Sequence, residues 1–317
     1  MQPPALAEAV AAWGGSAVQP RLVAARENRV YEVWLPGGVH AALRLHRPGY
    51  QTAASIRSEL VWVRDLAAAG VAVPVPVPMR GGGLVHTGSD GGLCSMLEWV
   101  PGVPLGTADA PLDGTRAGQT ALFWRVGRAV AQMHEASDRI ALQADFERQR
   151  WDAAGLLGSA PLWGRFWENA ALRPDERRLV LQARDKARQE LAQFAARGGD
   201  FGLIHADVLR ENLLVDGDRV TLIDFDDAGW GFRMFDLGTL MIQNRREPAY
   251  DDLVTAVVAG YRSARPLPDD AVALLPLFVL LRAFASMGWV MPRLAADDPR
   301  IRTYVARAVE HSAAFVR

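Results

Sequence analysis

The stretch "LIHADVLRENLLVDGDRVTLIDFDDAG", residues 203–229, places one histidine, one asparagine and six aspartates between short apolar runs. Apolar runs of this length, rich in Leu, Ile and Val, predict short buried strands. The "DGD" sequence at 216–218 predicts a turn that joins two of them. Carboxylates beside buried strands need partners. The stretch therefore predicts a functional site; the alternative is a surface Asx turn followed by a solvated acidic hairpin.

Four side chains in this stretch predict metal binding and proton transfer. His205, Asp207 and Asn212 form the pattern H-x-D-x-x-x-x-N, and Asp224 follows twelve residues after Asn212 at the end of an apolar strand. The predicted hairpin would bring Asn212 and Asp224 side by side. An amide and a carboxylate oxygen suit Mg²⁺, which keeps several waters and binds substrate phosphates. Asp207 could then accept the proton of a hydroxyl aimed at the γ-phosphate of ATP.

Composition argues against several partners. The net charge is -1 over 317 residues, so no overall field favours nucleic acid or an anionic membrane. The single cysteine, Cys94, cannot form an intrachain disulfide, which fits a reducing cytoplasm, and we expect it to be buried filler. The N-terminus lacks a basic region and Glu8 interrupts its apolar run, so we expect no export. Residues 271–292 are long enough to span a bilayer, but Arg282 near their middle predicts a buried core helix.

The pattern of periodicity divides the chain near residue 100. Residues 20–46 predict three antiparallel strands, and a helix from Thr52 to Ala69 follows with Thr52 as its N-cap. Two further strands are predicted before residue 100. Long helical patterns then occupy 115–136, 174–197, 249–264, 269–295 and 299–316. We therefore predict an α+β protein with a small antiparallel-sheet domain and one main helix at 1–99, and a larger, mostly helical domain at 100–317.

Arg44 and Glu59 predict a second set of functional groups. Basic residues are almost all arginine, since Lys186 is the single lysine. Arg44 shares a face of the third strand with Ala42 and His46, and Glu59 lies on or beside the apolar face of the helix. We predict that Arg44 reaches the Glu59 carboxylate. The alternative is an exposed arginine at a sheet edge.

The sequence resembles the aminoglycoside phosphotransferase and choline kinase-like family, which is related to the protein kinases. "ALRLHRPGY" and "IDFDDAGWGFRMFDLGTL" are most similar to the branch of stress-response kinase A and type II homoserine kinase. The resemblance implies a bilobal protein-kinase-like fold, with Asp207 as the catalytic base and His205 supporting its loop. It also implies that Asn212 and Asp224 are the Mg²⁺ ligands. Asp236 matches an aspartate that caps the next helix and ties down the backbone of that loop.

The small domain departs from the protein-kinase pattern in two places. No G-x-G-x-x-G joins the first two strands; the turn is "RENR" at 26–29, from which Arg26 or Arg29 could contact phosphate if Arg44 does not. Arg44 stands at the third-strand position where these kinases usually carry lysine, so the resemblance implies that it contacts the α/β-phosphates of ATP as well as Glu59. We expect the adenine against the connection between the domains, where Glu98, Trp99 and Val100 offer backbone donors and acceptors.

The sequence says less about the molecule that accepts the phosphoryl group. Asp226 and Asp227 add negative charge near the predicted metal, which favours a cationic acceptor such as an amino alcohol or amino sugar, although they could instead bind a second Mg²⁺ or cap a turn. Trp230, Tyr261 and Trp289 could line an ammonium pocket, with core packing as the alternative.

These patterns predict an ATP- and Mg²⁺-dependent phosphotransferase that acts on a hydroxyl of a small, amine-bearing molecule in the cytoplasm, with no nucleic-acid or membrane partner. A serine/threonine protein kinase of the stress-response type is the first alternative. A nucleotide-binding pseudoenzyme is the second, although its usual mark, loss of the base or of a metal ligand, is missing from the sequence. The sequence leaves open whether the protein is a monomer or a homodimer.

Overall fold

A computed structural model describes residues 6–25, 27–108 and 110–317, which leaves Arg26 of the "RENR" turn outside the described residues. The chain forms two compact units. The first consists of Met1–Val103, Arg139–Arg148 and Leu214–Asp226; the second consists of Pro104–Asp138, Gln149–Leu213 and Asp227–Arg317. Two late segments thus return to the unit that begins the chain.

An antiparallel sheet forms the body of the first unit. Its strands are β1 (Arg21–Ala25), β2 (Arg29–Trp34), β3 (His40–Leu45), β4 (Val85–Thr87) and β5 (Leu93–Glu98), in the order β1-β2-β3-β5-β4. The predicted three-strand meander is confirmed by the β1–β2 and β2–β3 pairings. Alternate residues such as Val33, Leu43 and Met96 pack into one core with α1 (Leu6–Ala12). Cys94 lies in this core, where burial raises the pKa of its thiol to about 12.

Helix α2 (Ala53–Ala68) contacts β3 through the ion pair of Glu59 with Arg44. The predicted N-cap is confirmed: the Thr52 hydroxyl accepts from the Ser55 amide at 3.0 Å. The hairpin of β9 (Leu213–Asp216) and β10 (Arg219–Leu222) is also confirmed. After β10 the chain returns to α2, because Phe225 packs edge-on against Trp62 with ring centroids 5.4 Å apart.

Helices dominate the second unit. They are α3 (Arg116–Arg139), α4 (Ala153–Leu157), α5 (Pro174–Ala196), α6 (Met234–Ile242), α7 (Tyr250–Arg262), α8 (Asp269–Val272), α9 (Leu275–Trp289) and α10 (Pro299–Val316). A small sheet in the order β7-β11-β8 joins β7 (Arg150–Trp151), β11 (Gly229–Phe232) and β8 (Phe201–Ile204). The short strand β6 (Val103–Pro104) pairs with β9 in the order β10-β9-β6. An antiparallel N-terminal sheet followed by a helical remainder confirms the predicted fold class.

One helix prediction was wrong. Residues 269–295 do not form a single helix, because α8 ends at Val272 and α9 begins at Leu275. Pro276 lies in the first turn of α9, where proline is tolerated; inside a continuous helix it would remove a hydrogen bond and clash with the preceding turn.

Helix α9 is the central helix of the second unit. The segment Asp269–Trp289 contains an 18-residue window that is apolar enough to cross a membrane. However, 72% of that window is buried inside the protein. Helices α6 and α10 both pack on α9. Gly238 permits the close approach of α6, because a Cβ there would lie 2.5 Å from the carbonyl carbon of Phe278. The segment is thus a core helix, as the arginine at its centre predicted.

Candidate active site

Asp236 fixes the backbone at the start of the predicted catalytic loop. Its side chain is 0% exposed, and its two oxygens accept from the backbone amides of His205 at 2.9 Å and Ala206 at 2.7 Å. Ala206 has a φ of 64°, a left-handed conformation that costs a non-glycine residue about 1–3 kcal/mol. Asp236 lies in the first turn of α6 and not at its N-cap, so its carboxylate serves the loop.

A buried histidine completes the partners of Asp236. His134 Nε2 lies 3.0 Å from Asp236 Oδ2, and its Nδ1 lies 2.9 Å from the hydroxyl of Tyr261. Burial lowers the pKa of His134, so the ring is neutral and donates one hydrogen bond to the carboxylate. Burial also raises the pKa of Tyr261. Tyr261 is therefore a core residue, which favours packing over the ammonium pocket.

The carboxylate of Asp207 is held by two donors. Its Oδ1 accepts from Arg282 Nη2 at 2.7 Å, and its Oδ2 accepts from Asn212 Nδ2 at 2.8 Å. The same Asn212 nitrogen donates to the backbone oxygen of Asp207 at 2.9 Å. Asp207 remains 17% exposed, so an acceptor hydroxyl can reach it. The amide nitrogen of Asn212 therefore faces Asp207, and its amide oxygen takes no part in this contact.

His205 lies behind Asp207. Its side chain is fully buried, and its Nδ1 accepts from the Asp207 amide at 3.3 Å. Its own amide is bound to Asp236. The ring therefore supports the loop and does not reach solvent.

In the first unit, Arg44 forms a buried ion pair. Its Nη2 donates to Glu59 Oε1 at 2.5 Å, and its Nη1 lies 3.7 Å from Asp224 Oδ1. Burial disfavours a charged Arg44, but Glu59, Asp226 and Asp224 outweigh that cost and raise the pKa of the guanidinium. Arg148 Nη1 lies 3.6 Å from the other oxygen of Glu59. Arg44 is therefore buried and charged, which removes the alternative of an exposed edge arginine.

Asp226 belongs to the same buried cluster. Burial and the charge of Glu59 raise the pKa of its carboxyl, against the attraction of Arg44 and Arg148. Its Oδ1 lies 3.9 Å from Nδ1 of His46, whose own pKa is held well below its ordinary value by burial and by the two arginines. Asp226 thus has partners inside the first unit, and its burial does not favour the predicted contact with a cationic acceptor.

Asp224 adopts an unusual backbone conformation. Its φ is 65°, and its side chain is 48% exposed. Non-glycine residues in this region cluster at functional sites, where the surrounding structure compensates for the strain. The conformation thus presents a carboxylate to solvent directly after a buried strand.

The remaining predicted acceptor residues have partners within the second unit. The backbone oxygen of Asp227 accepts from Gln149 Nε2 at 2.6 Å and from Trp151 Nε1 at 2.8 Å. The Arg150 guanidinium lies 5.9 Å from the Trp230 ring, and that of Arg293 lies 4.8 Å from the Trp289 ring. Both tryptophans therefore already contact a cation of the chain itself.

A sequence profile of the phosphotransferase enzyme family (APH) matches residues 20–269, which include both groups of side chains. The chain belongs to this family. The family resemblance predicted from the two quoted motifs is confirmed, and the protein is a kinase, a phosphotransferase with an alcohol group as acceptor.

Several relatives of this phosphotransferase are named kinases. It is 28% identical over 294 residues to the amicoumacin kinase of Bacillus subtilis (strain 168), covering 87% of this chain and 81% of the relative. It is 32% identical over 222 residues to the homoserine kinase of Rhizobium etli (strain CIAT 652), covering 68% and 62%. The solved structure of a microcompartment-associated aminopropanol kinase matches 97% of this chain and 93% of its own at 32% identity, with a TM-score of 0.79.

A second solved structure supports the fold. An amicoumacin kinase in complex with AMP-PNP, Ca²⁺ and Ami matches 92% of this phosphotransferase and 88% of its own chain, with a TM-score of 0.73. At 23% identity, that likeness shows the shared fold alone.

Two of the three residues predicted to contact the adenine already make backbone hydrogen bonds within the protein. The Glu98 amide donates to the Val75 oxygen at 2.7 Å, and the Trp99 amide donates to the His40 oxygen at 3.0 Å. The Trp99 ring stacks on His40 with centroids 4.8 Å apart. Val100 makes no backbone hydrogen bond within the part of the chain that the structure describes.

Two arginines near the site were not predicted to act there. Arg148 donates to the backbone oxygens of Phe225 at 3.0 Å and Asp226 at 2.6 Å, in addition to its ion pair with Glu59. Arg282 binds Asp207. A charge inside the apolar run at 271–292 was the available signal for Arg282, because a buried arginine requires an acidic partner. The sequence does not indicate which acid that is.

We expect Arg44→Ala to weaken both the fold and nucleotide binding. Glu59 would keep only the more distant Arg148 cation, and breaking a buried pair costs about 3–5 kcal/mol. Arg44→Lys keeps the charge but loses the fork, so ATP affinity should fall by less than about tenfold, or about 1.4 kcal/mol. Urea unfolding and calorimetry with Mg·ATP measure both effects.

Arg21→Ala is the matched control, because Arg21 lies on a strand of the same sheet and pairs with Glu32 at the surface. A surface pair contributes about 0–1 kcal/mol. If Arg44→Ala behaved like Arg21→Ala in both measurements, the phosphate contact would have to lie elsewhere, for example at Arg29.

Proposed function

We propose that this phosphotransferase moves the γ-phosphoryl group of ATP to a hydroxyl of a small, amine-bearing molecule. The observation that carries the proposal is the Asp207 carboxylate, held by Arg282 and Asn212 and still accessible to an acceptor. Aminopropanol and homoserine, after which two of the similar proteins are named, are both amino alcohols. An acceptor of that class fits a base that binds a neutral hydroxyl.

We assign Mg²⁺ to Asn212 and Asp224. The hydrogen bonds from Asn212 to Asp207 use its amide nitrogen, so its amide oxygen is available to a metal. The Asp224 carboxylate is half exposed and follows a backbone with a left-handed φ. Oxygen donors of these two kinds fit Mg²⁺, which also takes phosphate and water ligands. No cluster of three or more His, Cys, Asp or Glu side chains able to hold a metal occurs in residues 6–25, 27–108 and 110–317. When bound, Mg²⁺ neutralises phosphate charge as it develops.

The side chains of the chain perform the remaining tasks in this proposal. Asp207 orients the acceptor hydroxyl and accepts its proton as the oxygen forms a bond to the γ-phosphorus. The bond from that phosphorus to the bridging oxygen breaks, and ADP leaves. Arg44 supplies positive charge to the nucleotide phosphates. The amide of Val100, with the backbone oxygen of Glu98, is assigned to the adenine.

A protein acceptor fits the structure less well. After Asp224 the chain passes directly into β11 and then into α6, without a loop long enough to dock a peptide. Nothing in the described residues contradicts the predicted cytoplasmic location, which remains a prediction.

A screen of ADP release with Mg·ATP tests the proposal. Amino alcohols such as 1-amino-2-propanol, homoserine and ethanolamine form one arm, and aminoglycosides form a second. Matched alcohols without the amine, such as propane-1,2-diol, are the controls. We expect turnover in the amine-bearing arms alone; labelling of mixed protein by ATP without small-molecule turnover would contradict the proposal.

Asp207→Ala should bind Mg·ATP nearly as well as the parent while turnover falls by about 10²–10⁴, the usual contribution of a positioned base. The two effects separate because Asp207 is assigned to the hydroxyl and not to the metal. Calorimetry and ADP release measure them, with Asp216→Ala on the exposed hairpin turn as control. An equal loss of nucleotide affinity would show that the roles are wrongly divided.

Asp224→Ala should abolish Mg²⁺-dependent nucleotide binding, because it removes the carboxylate assigned to the ion. Asn212→Ala should reduce binding less, since water can replace a neutral ligand. Titration of Mg²⁺ at fixed ATP, followed by calorimetry, gives the order of the two effects. The reverse order would argue against this ligand set.

A further inference from the structure

Arg282 is an arginine in the middle of a core helix. It is 5% exposed, and its neighbours on α9 include Leu281, Ala283 and Phe284. Taking a guanidinium out of water costs several kcal/mol, and an apolar residue of similar volume at such a position is often neutral or stabilising. Stability alone therefore does not explain a charge here, and its contacts indicate what it does.

Both ends of the Arg282 fork bind adjacent groups of the catalytic loop. Nη1 donates to the backbone oxygen of Ala206 at 3.0 Å, and Nη2 donates to Asp207 Oδ1 at 2.7 Å. Ala206 is the residue with the left-handed φ, and its amide is bound by Asp236. The strained peptide is thus held from one side by a carboxylate and from the other by a guanidinium.

The plane of Arg282 is itself fixed. The guanidinium carbon lies 4.9 Å from the ring of Trp163, and that ring packs edge-on against Trp151 with centroids 4.9 Å apart. Contact with a buried aromatic ring limits the rotamers of an arginine, so less freedom is lost when it binds its acceptors. Arg282 therefore presents two donors in fixed directions.

We propose that Arg282 is a positioning residue for the base. It fixes Oδ1 of Asp207 while Asn212 fixes Oδ2, so rotation of the carboxylate is restrained, and one lone pair on each oxygen remains for the acceptor hydroxyl. This inference rests on the proposed role of Asp207. Since Arg282 is assigned to neither nucleotide nor acceptor, its loss should lower kcat and leave the KM for ATP nearly unchanged.

The test uses Arg282→Met, which keeps an unbranched stem without charge or donors, and Arg282→Lys, which keeps the charge but loses the planar fork. ADP release is followed with 1-amino-2-propanol as acceptor and with water alone, and Mg·ATP binding is measured by calorimetry. We expect kcat of Arg282→Met to fall about 10²-fold, as for a misplaced catalytic group. Arg282→Lys should recover part of that loss, and the KM for ATP should stay within about threefold in both.

Arg302→Met is the matched control for loss of a structural ion pair. Arg302 lies on α10 of the same unit and donates to Glu176 Oε2 at 2.7 Å, far along the chain from the loop. Its pair lowers the pKa of Glu176 to about 2. We expect Arg302→Met to melt earlier at parental kcat. An Arg282→Met variant that did the same would overturn the proposal.

A double variant separates positioning from general damage. If Arg282 acts through Asp207, then Asp207→Ala with Arg282→Met should be no slower than Asp207→Ala, because the group it positions is already gone. Multiplied losses would overturn the proposal. Should Arg282→Met fail to fold, Arg282→Lys gives the same cycle, and parental kcat in Arg282→Lys would also overturn it. Full turnover by Asp207→Ala would instead contradict the proposed function.

Discussion

The buried carboxylate of Asp236 fixes the conformation of the loop that carries Asp207. It satisfies two consecutive backbone amides, those of His205 and Ala206, that a left-handed peptide would otherwise leave without partners in the core. A neutral His134 donates to the same carboxylate and is itself held by Tyr261. The loop conformation that presents Asp207 is therefore maintained by a network that reaches α3, α6 and α7.

The first unit also buries polar groups, here charged side chains of opposite sign that compensate one another. Two buried arginines, Arg44 and Arg148, share the oxygens of Glu59, and Asp226 adds a second acid to the cluster. Arg148 also binds backbone oxygens at residues 225 and 226, directly after Asp224. The cluster therefore joins α2, β3 and the segment that carries the exposed Asp224 carboxylate. Removing one member would leave an uncompensated charge in the core. The stability of each charged side chain in the cluster therefore depends on the others.

Local patterns sufficed for much of the fold. The β1–β3 meander, the Thr52 cap and the β9–β10 hairpin depend on neighbouring residues, so alternation, a capping side chain and a turn sequence predicted them. Helix α6 was not among the predicted long helices, because every residue from Met234 to Ile242 is buried and no polar face marks its period. The break before α9 was missed because a proline in a long apolar run can lie inside a kinked helix or at the start of a new one.

In the candidate site, too, local patterns predicted some residues and missed the partners that come from distant parts of the chain. Spacing predicted Asp207, Asn212 and Asp224 as site residues, whose roles stay predictions, and strand alternation placed Arg44 on the face that reaches Glu59. The partners of Asp207 and Glu59 from distant segments, Arg282 and Arg148, could not be found that way, since their contacts span about seventy residues or more. Asp226 was expected near an acceptor and instead lies in the buried cluster, because adjacency in sequence does not fix the direction of a side chain after a turn.

The choice of arginine at position 44 affects how the protein can be labelled. The single lysine of the chain, Lys186, lies on α5 and donates to the backbone oxygen of Phe315 at 2.7 Å. The position assigned to the nucleotide phosphates therefore carries no primary amine. A nucleotide reagent that acylates a phosphate-binding lysine would have no amine to attack at Arg44. An active enzyme of this sequence would escape detection by such probes.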